Sequence, residues 1–459
     1  MPRPVPKRSV SGGVVSLALA GLALLAAQSQ PDWAGTFQQA VSQLRDGETA
    51  AAISSFDGLW KSHPRDAQLA AWIGAELDST SHHQEAAPWY QRALAIQPDF
   101  EPALNNLALN YAIQGEISKA QPLLRRALKM NPSDASAAYN LGLIDLRLGQ
   151  YREAAGVLAQ SRNAPTPPAP VDRIALAEAT ALFHLRQYAP AAEVLQKTSG
   201  DADGSRLLLL GSVQALGRNL PASVKTFQEV VRRFPDDPQA YYRLALVFLQ
   251  GRLDHEARDV LEVGLKRIPG SPLLLYGKAV LDDAIGNPDE AVVWVKKSLD
   301  EDSKQGPAWA LLGKLEASMG QTDDALDAYH RAAGLGAGAE VDVDAAELLI
   351  RLQRIPEAER ELQGLAKRYP DSARVERGFG KLYRDERKFD LAEQYLKRAV
   401  NLDPEDPDAH FALGEVFRLT HRMDEAKKEF AIFHDKKQVR QMVHPLEMAT
   451  NSSHGSELK

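Results

Sequence analysis

Cysteine is absent from this 459-residue chain, and aromatic residues make up only 7% of it. Without thiols there can be no disulfide framework, no thiolate zinc site and no lipid-modified N-terminal cysteine. Long basic runs are missing too. Lys and Arg total 54 against 61 Asp and Glu, the charges are interspersed, and the formal net charge is -7. The electrostatic footprint of a nucleic-acid binder is therefore lacking. What is present is a 44% hydrophobic content drawn largely from Ala and Leu. That mixture suits a helix-rich protein with a core of small and medium side chains, and it argues against general disorder.

The N-terminus differs from everything after it. Arg3, Lys7 and Arg8 precede an apolar run from Val10 to Ala27, and polar Gln28-Ser29-Gln30-Pro31 follows. Small residues Ala26, Ala27 and Ser29 stand where a signal peptidase would cut. The run of 18 residues also approaches the ~20 needed to span a bilayer, so an uncleaved anchor is the rival reading. Basic residues ahead of the run hold that end in the cytoplasm. Either way the remainder is expected to be exported, periplasmic or secreted, and to touch a membrane only through this segment if it stays uncleaved.

The rest of the chain repeats with one period. A large apolar residue followed by Gly or Ala occurs at Ile73-Gly74, Leu107-Ala108, Leu141-Gly142, Leu210-Gly211, Leu244-Ala245, Leu312-Gly313, Phe379-Gly380 and Leu413-Gly414, at spacings near multiples of 34. Alanines recur at 52, 86, 120, 154, 191, 257, 291, 325, 358, 392 and 426, with a single irregular gap of 37. Prolines form a third ladder at 64, 98, 132, 235, 269, 370 and 404. Fixed self-similarity of this length is the mark of a stacked repeat architecture.

Each ladder has a cause. Between Pro98 and Pro132 apolar residues fall at Leu104, Leu107, Ala108 and Tyr111, then at Ala120, Leu123, Leu124 and Ala127. Spacings of three and four predict two successive helical faces, with Gly115-Glu116 as the turn between them. The small residues let the two helices approach closely, and proline closes each unit. One hairpin cannot bury its apolar face alone, so hairpins must stack.

Residues 101–134, with Leu104, Leu107, Ala108, Tyr111, Ala120, Leu124, Ala127 and Pro132, resemble the tetratricopeptide repeat. Units 67–100 (Ile73, Gly74, Ala86, Tyr90, Ala93, Pro98) and 306–339 (Trp309, Leu312, Gly313, Gly320, Ala325, Tyr329, Ala332) fit as well. The count is about twelve units between residues 33 and 434. The resemblance implies an all-α right-handed superhelical solenoid of antiparallel hairpins. It also implies a concave groove, lined by the first helix of each unit, that takes peptides or protein segments.

The expected organisation is a signal or anchor at 1–30, a first array at 31–161, a Pro-rich connector at 162–173, a second array at 174–434, and a capping helix with polar tail at 435–459. Four prolines between 165 and 170 favour an extended connector, either a hinge or a lengthened loop. Gly334-Leu335-Gly336-Ala337-Gly338 is a second soft point.

Chemistry is hard to find in what remains. The glycines of Gly306 to Gly313-Lys314 are too far apart for a phosphate loop, and Leu315 replaces the required Ser or Thr. His255-Glu256 lacks a second histidine four residues on. His82-His83 falls in an interhelical turn, where solvated side chains outweigh a metal site. Asp282-Asp283 and Asp323-Asp324 splay apart on a helix and are expected to face solvent. Asn451-Ser452-Ser453 matches a glycosylation acceptor, relevant only to a eukaryotic secretory route. No enzyme activity, metal or cofactor is expected.

Recognition is left. Arg374, Arg377, Lys381 and Arg384 recur at three, four and three residues and so share one helical face. The resemblance places that face in the groove, where forked guanidinium groups suit an acidic peptide segment. The alternatives are a solvated basic stripe and an intramolecular partner. Asn106 and Asn140, 34 residues apart, occupy slots where family members use asparagine to hold a peptide backbone. Trp72, Tyr139 and Tyr242 could add stacking surface, with core or rim packing as the alternative. The expected function is a scaffold or adaptor for protein partners. The alternative is a structural part of an envelope-assembly or polysaccharide-export system.

Overall fold

The computed structural model describes residues 33–199, 204–336 and 338–437; the side chain of Glu340 lies outside that description. The export segment, the glycosylation triplet and the polar tail all fall outside the described residues. Within them every regular element is a helix, and no strand occurs. None of these helices is long and apolar enough to cross a membrane.

The chain divides into two compact units, Met1–Asp201 and Ala202–Lys459. In the first, leading and returning helices pair as Ala34–Arg45 with Thr49–Ser62, Ala67–Ser79 with His83–Ile96, and Glu101–Ile113 with Ile117–Met130. Ala135–Arg147 then pairs with Tyr151–Arg162, and Val171–His184 with Tyr188–Gln196. In the second unit, Ser205–Leu216 pairs with Leu220–Arg233, Pro238–Gln250 with Asp254–Arg267, and Pro272–Ala284 with Pro288–Glu301. Gly306–Ser318 pairs with Thr322–Gly334, Ala339–Arg351 with Ile355–Arg368, and Ala373–Asp385 with Phe389–Leu402. Pro407–Leu419 precedes a last helical stretch at 423–437. From Ala67–Ser79 onward in the first unit, and throughout the second, each leading helix also touches the leading helix of the next hairpin.

The ladders explain this regularity. Alanines 52, 86, 120, 154, 191, 257, 291, 325, 358 and 392 are all fully buried. Opposite them, a Cβ added to Gly74 would meet the Tyr90 ring at 2.8 Å, one on Gly142 would meet Leu158 at 2.4 Å, and one on Gly313 would meet Tyr329 at 2.9 Å. Gly211 with Phe227, Gly380 with Leu396 and Gly414 with Phe430 repeat the arrangement, always sixteen residues apart. A bare backbone in the leading helix therefore makes room for a large side chain from the returning one. That interlock is what the apolar-plus-small pairs encode.

The turns obey a rule of their own. Each hairpin bends at one residue with left-handed backbone: Gly47, Ser81, Gly115, Gly149, Arg186, Arg218, Arg252, Gly286, Gly320, Gln353, Arg387 and His421. The next residue donates its N–H five positions back, as His82 does to Leu77 at 2.9 Å, which satisfies an orphan helix carbonyl. On the opposite edge, Asp66, Asp134, Asp237 and Asp406 each cap the leading helix that follows. Their carboxylates accept N–H groups that a helix start leaves unpaired.

The Pro-rich stretch sits where the ladder slips, but it separates nothing. Only residues 163–170 are non-helical, and Leu158 before them shares a core with Ile174 and Ala181 beyond. The two compact units divide at Asp201 and Ala202. Extra chain length at this turn is absorbed as loop, because the helices on either side keep their packing.

Candidate functional site

The cationic row stands on the helix Ala373–Asp385. Val375, Phe379 and Leu382 bury one side of it, and Ser372 caps its start by accepting from the Val375 N–H at 3.4 Å. The remaining face presents Arg374, Arg377, Lys381 and Arg384 toward the neighbouring leading helices. Each meets a carboxylate of this chain. Arg374 donates to Asp344 at 2.6 Å, while Arg377 and Lys381 donate to the two oxygens of Glu347, both at 3.0 Å. Arg377 also donates to Asp406 of the following hairpin and lies 3.6 Å from Asp408. Arg384 bonds its neighbour Asp385 at 2.8 Å.

The expected row thus exists as one face. Of the alternatives open for it, the intramolecular one describes its contacts. The Arg377 side chain is only 2% exposed, far from a solvated stripe. Charges answer one another strongly here. Burial alone would push the Glu347 carboxyl up, yet the charges of Arg377, Lys381 and Arg374 outweigh it and hold the group well below the usual carboxylate range. Burial likewise disfavours the charged Arg377, but Glu347, Asp406 and Asp408 overcome this and raise its affinity for the proton. Lys381 goes the other way. Burial lowers it, and Glu347 restores only part of the loss. At the outer end Glu415 is held low, first by the hydrogen bond from Arg418 and further by the charge of Arg384.

The two asparagines differ. Asn140 donates to Asn105 of the preceding leading helix at 2.8 Å, so its amide already ties two hairpins together. Asn106 is half-buried. A third asparagine, on the same leading helix as Asn106, is drawn into the core. Asn110 is fully buried and donates to Asp78 at 2.7 Å and to the His83 carbonyl at 2.8 Å. Asp78 further accepts from His83 and from the Tyr90 hydroxyl, both at 2.9 Å. Burial raises the Asp78 carboxyl despite these bonds. Nothing in the local spacing flagged this cluster, because its members come from two different hairpins.

Other candidates resolve by packing. His82 bridges Thr49 and Thr80 through its two ring nitrogens, at 3.2 and 3.0 Å, so the turn histidines are bonded and not simply solvated. Among the described residues no group of three His, Asp or Glu could hold a metal ion. Asp282 corrects the expectation for it. The residue is 1% exposed and paired with Arg258 at 3.3 Å, while Asp283 binds Lys314 at 2.7 Å. Partners on adjacent hairpins, invisible to a reading of one helix, draw both inward. Tyr242 is buried with its ring 6.0 Å from Tyr276; Trp72 packs against the core, and Tyr139 is half-buried.

The chain is 29% identical over 101 residues to a PEX5-related protein of Homo sapiens, a stretch covering 22% of this chain and 16% of that protein. It is 25% identical over 289 residues to the cellulose synthase operon protein C of Pseudomonas fluorescens (strain SBW25), covering 58% of this chain and 21% of the relative. The chain therefore spans about a sixth to a fifth of the length of these curated relatives. Among solved structures, the crystal structure of the APC/C hetero-tetramer Cut9-Hcn1 aligns over 95% of this chain and 96% of that one, at 13% identity and a TM-score of 0.43. The tetratricopeptide repeat family matches residues 37–99, 105–170, 208–272 and 377–431, more than half of the sequence. The chain belongs to the tetratricopeptide repeat family.

Proposed function

We propose that this protein is a non-catalytic scaffold that holds protein partners along the face built by its leading helices, with twelve repeats in the array. The observation that supports this reading is the convergence of three consecutive hairpins on one cluster, in which Glu347 pairs with both Arg377 and Lys381 while Arg377 also meets Asp406 and Asp408. A stacked array offers such faces repeatedly, and several weak contacts along it add up to useful affinity. Within the cationic row Lys381 and Arg384, each with 23% of its side chain exposed, are the members an incoming acidic segment reaches first. Asn106 and Asn140 would contact the backbone of a segment lying along the first unit.

The test uses fluorescein-labelled hexaglutamate and fluorescence anisotropy. Binding that weakens with salt, and weakens further in a Lys381→Glu, Arg384→Glu double variant, is the expected result. Equal binding by wild type and variant removes the row from the function.

A second reading has one observation in its favour. Similarity to cellulose synthase operon protein C extends over 58% of this chain, which suits a structural part in a bacterial envelope or polysaccharide-export assembly. It accords with residues 1–30 acting as an export signal or membrane anchor and residues 435–459 as a terminal cap. Sequencing the N-terminus of the protein recovered from its native envelope decides between cleavage and anchoring, and recovery from the cytoplasm would exclude both.

A further inference from the structure

Three carboxylates surround Arg377, and they are not equivalent. Glu347 is largely buried and shared with Lys381. Asp406 is 3% exposed and doubly engaged, because its second oxygen accepts the Asp408 N–H at 3.1 Å as the helix cap. Asp408 is different: its side chain is 60% exposed and stands 3.6 Å from the guanidinium, outside hydrogen-bond range. Arg377, for its part, has an unspent donor. Its buried Nε finds no acceptor among the described residues, an unusual state for a charged group in an interior.

We propose that Asp408 is a built-in stand-in for the carboxylate of a docked protein segment, and that an acidic segment binds by displacing it. The inference rests on the docking reading above and adds how that site is regulated. Among the ion pairs of the described residues, Arg374, Arg377 and Lys381 bring three positive charges, against four negative ones from Asp344, Glu347, Asp406 and Asp408. With its own acids in place the cluster already has a slight negative excess and repels a further anion. Swinging Asp408 toward solvent restores balance and opens the approach to Arg377 and Lys381. Asp406 and Glu347 cannot yield in the same way, since one caps a helix and the other is held by three cations. The face is therefore selective: a segment must bring enough negative charge, closely spaced, to outcompete a tethered carboxylate.

The same hexaglutamate probe tests this with wild-type protein, Asp408→Asn, and Asp289→Asn as a control that removes one exposed carboxylate elsewhere in the same unit. Circular dichroism melting checks that all three are folded. Asp408→Asn should bind about fivefold more tightly than wild type, the effect of removing one like charge near a partly screened site. Asp289→Asn should not. Two results overturn the stand-in role while leaving the docking reading intact: no gain in Asp408→Asn, or an equal gain in Asp289→Asn. If folded wild type and Asp408→Asn both fail to bind, the docking reading falls and the stand-in falls with it.

Discussion

Arg377 donates to Glu347, thirty residues earlier, and to Asp406, twenty-nine residues later. One side chain thus links three consecutive hairpins through ion pairs, all about one repeat length apart. Replacing it by methionine keeps much of the bulk but takes the guanidinium away from Asp406 and leaves Glu347 to Lys381. Breaking a buried pair by removing one partner typically costs ~3–5 kcal/mol. Arg377→Met should therefore lower the urea midpoint of residues 202–459 substantially, and hydrogen exchange should locate the loosening at 407–437.

Glu347 sets the acid limit of the same region. Its folded-state proton affinity is depressed, so the stabilisation it supplies is fully present above its unfolded pKa of ~4.3. That stabilisation drains away as pH falls toward the lower folded value. Melting curves between pH 7 and 3 should show the loss beginning near pH 4. In Glu347→Gln the protein should be weaker at neutral pH, with a shallower decline on acidification. An unchanged acid slope in that variant would assign the effect to other groups.

The left-handed turn residues predict gains. Arg252 holds φ of 58° and Arg218 φ of 63°, a conformation that disfavours any side chain with a Cβ. Both are exposed. Arg252→Gly should stabilise the second unit by ~0.5–1 kcal/mol. The change should appear as a higher thermal midpoint, and adding Arg218→Gly should raise it again, because the two turns are separate.

Gly380 predicts the opposite. A methyl group there would lie 2.4 Å from Leu396 Cγ, in a core with no slack. Gly380→Ala should cost about 1–3 kcal/mol through overpacking. A compensating Leu396→Ala in the same chain should restore part of the loss, which a double-mutant cycle can measure.

Much of this fold is written in local periodicity. The alanine ladder and the apolar-plus-glycine pairs report contacts within one hairpin, and each of those contacts is short-range enough to leave a mark at fixed spacing. Gly142 against Leu158 and Gly313 against Tyr329 are examples. The cationic face of Arg374 to Arg384 was legible for the same reason, as spacing on a single helix. Its partners were not. Asp344, Glu347 and Asp406 lie a full repeat away, and a helical wheel contains no neighbour from the next helix. The burial of Asp282 is invisible to a helical wheel for the same cause, since Arg258 reaches it from the preceding hairpin. The prolines of 163–170 mark a break in helix, and such a local break says nothing about whether the flanking surfaces still meet, as those of Leu158 and Ile174 do.

Leu158 and Ile174 occupy a common core although eight non-helical residues separate their helices, so the join does not need a fixed length. Loop-closure entropy grows only slowly with added residues. A peptide tag, a fluorophore site or a small guest domain spliced between Thr166 and Pro168 would hang outside the stack, leaving the neighbouring helices in register.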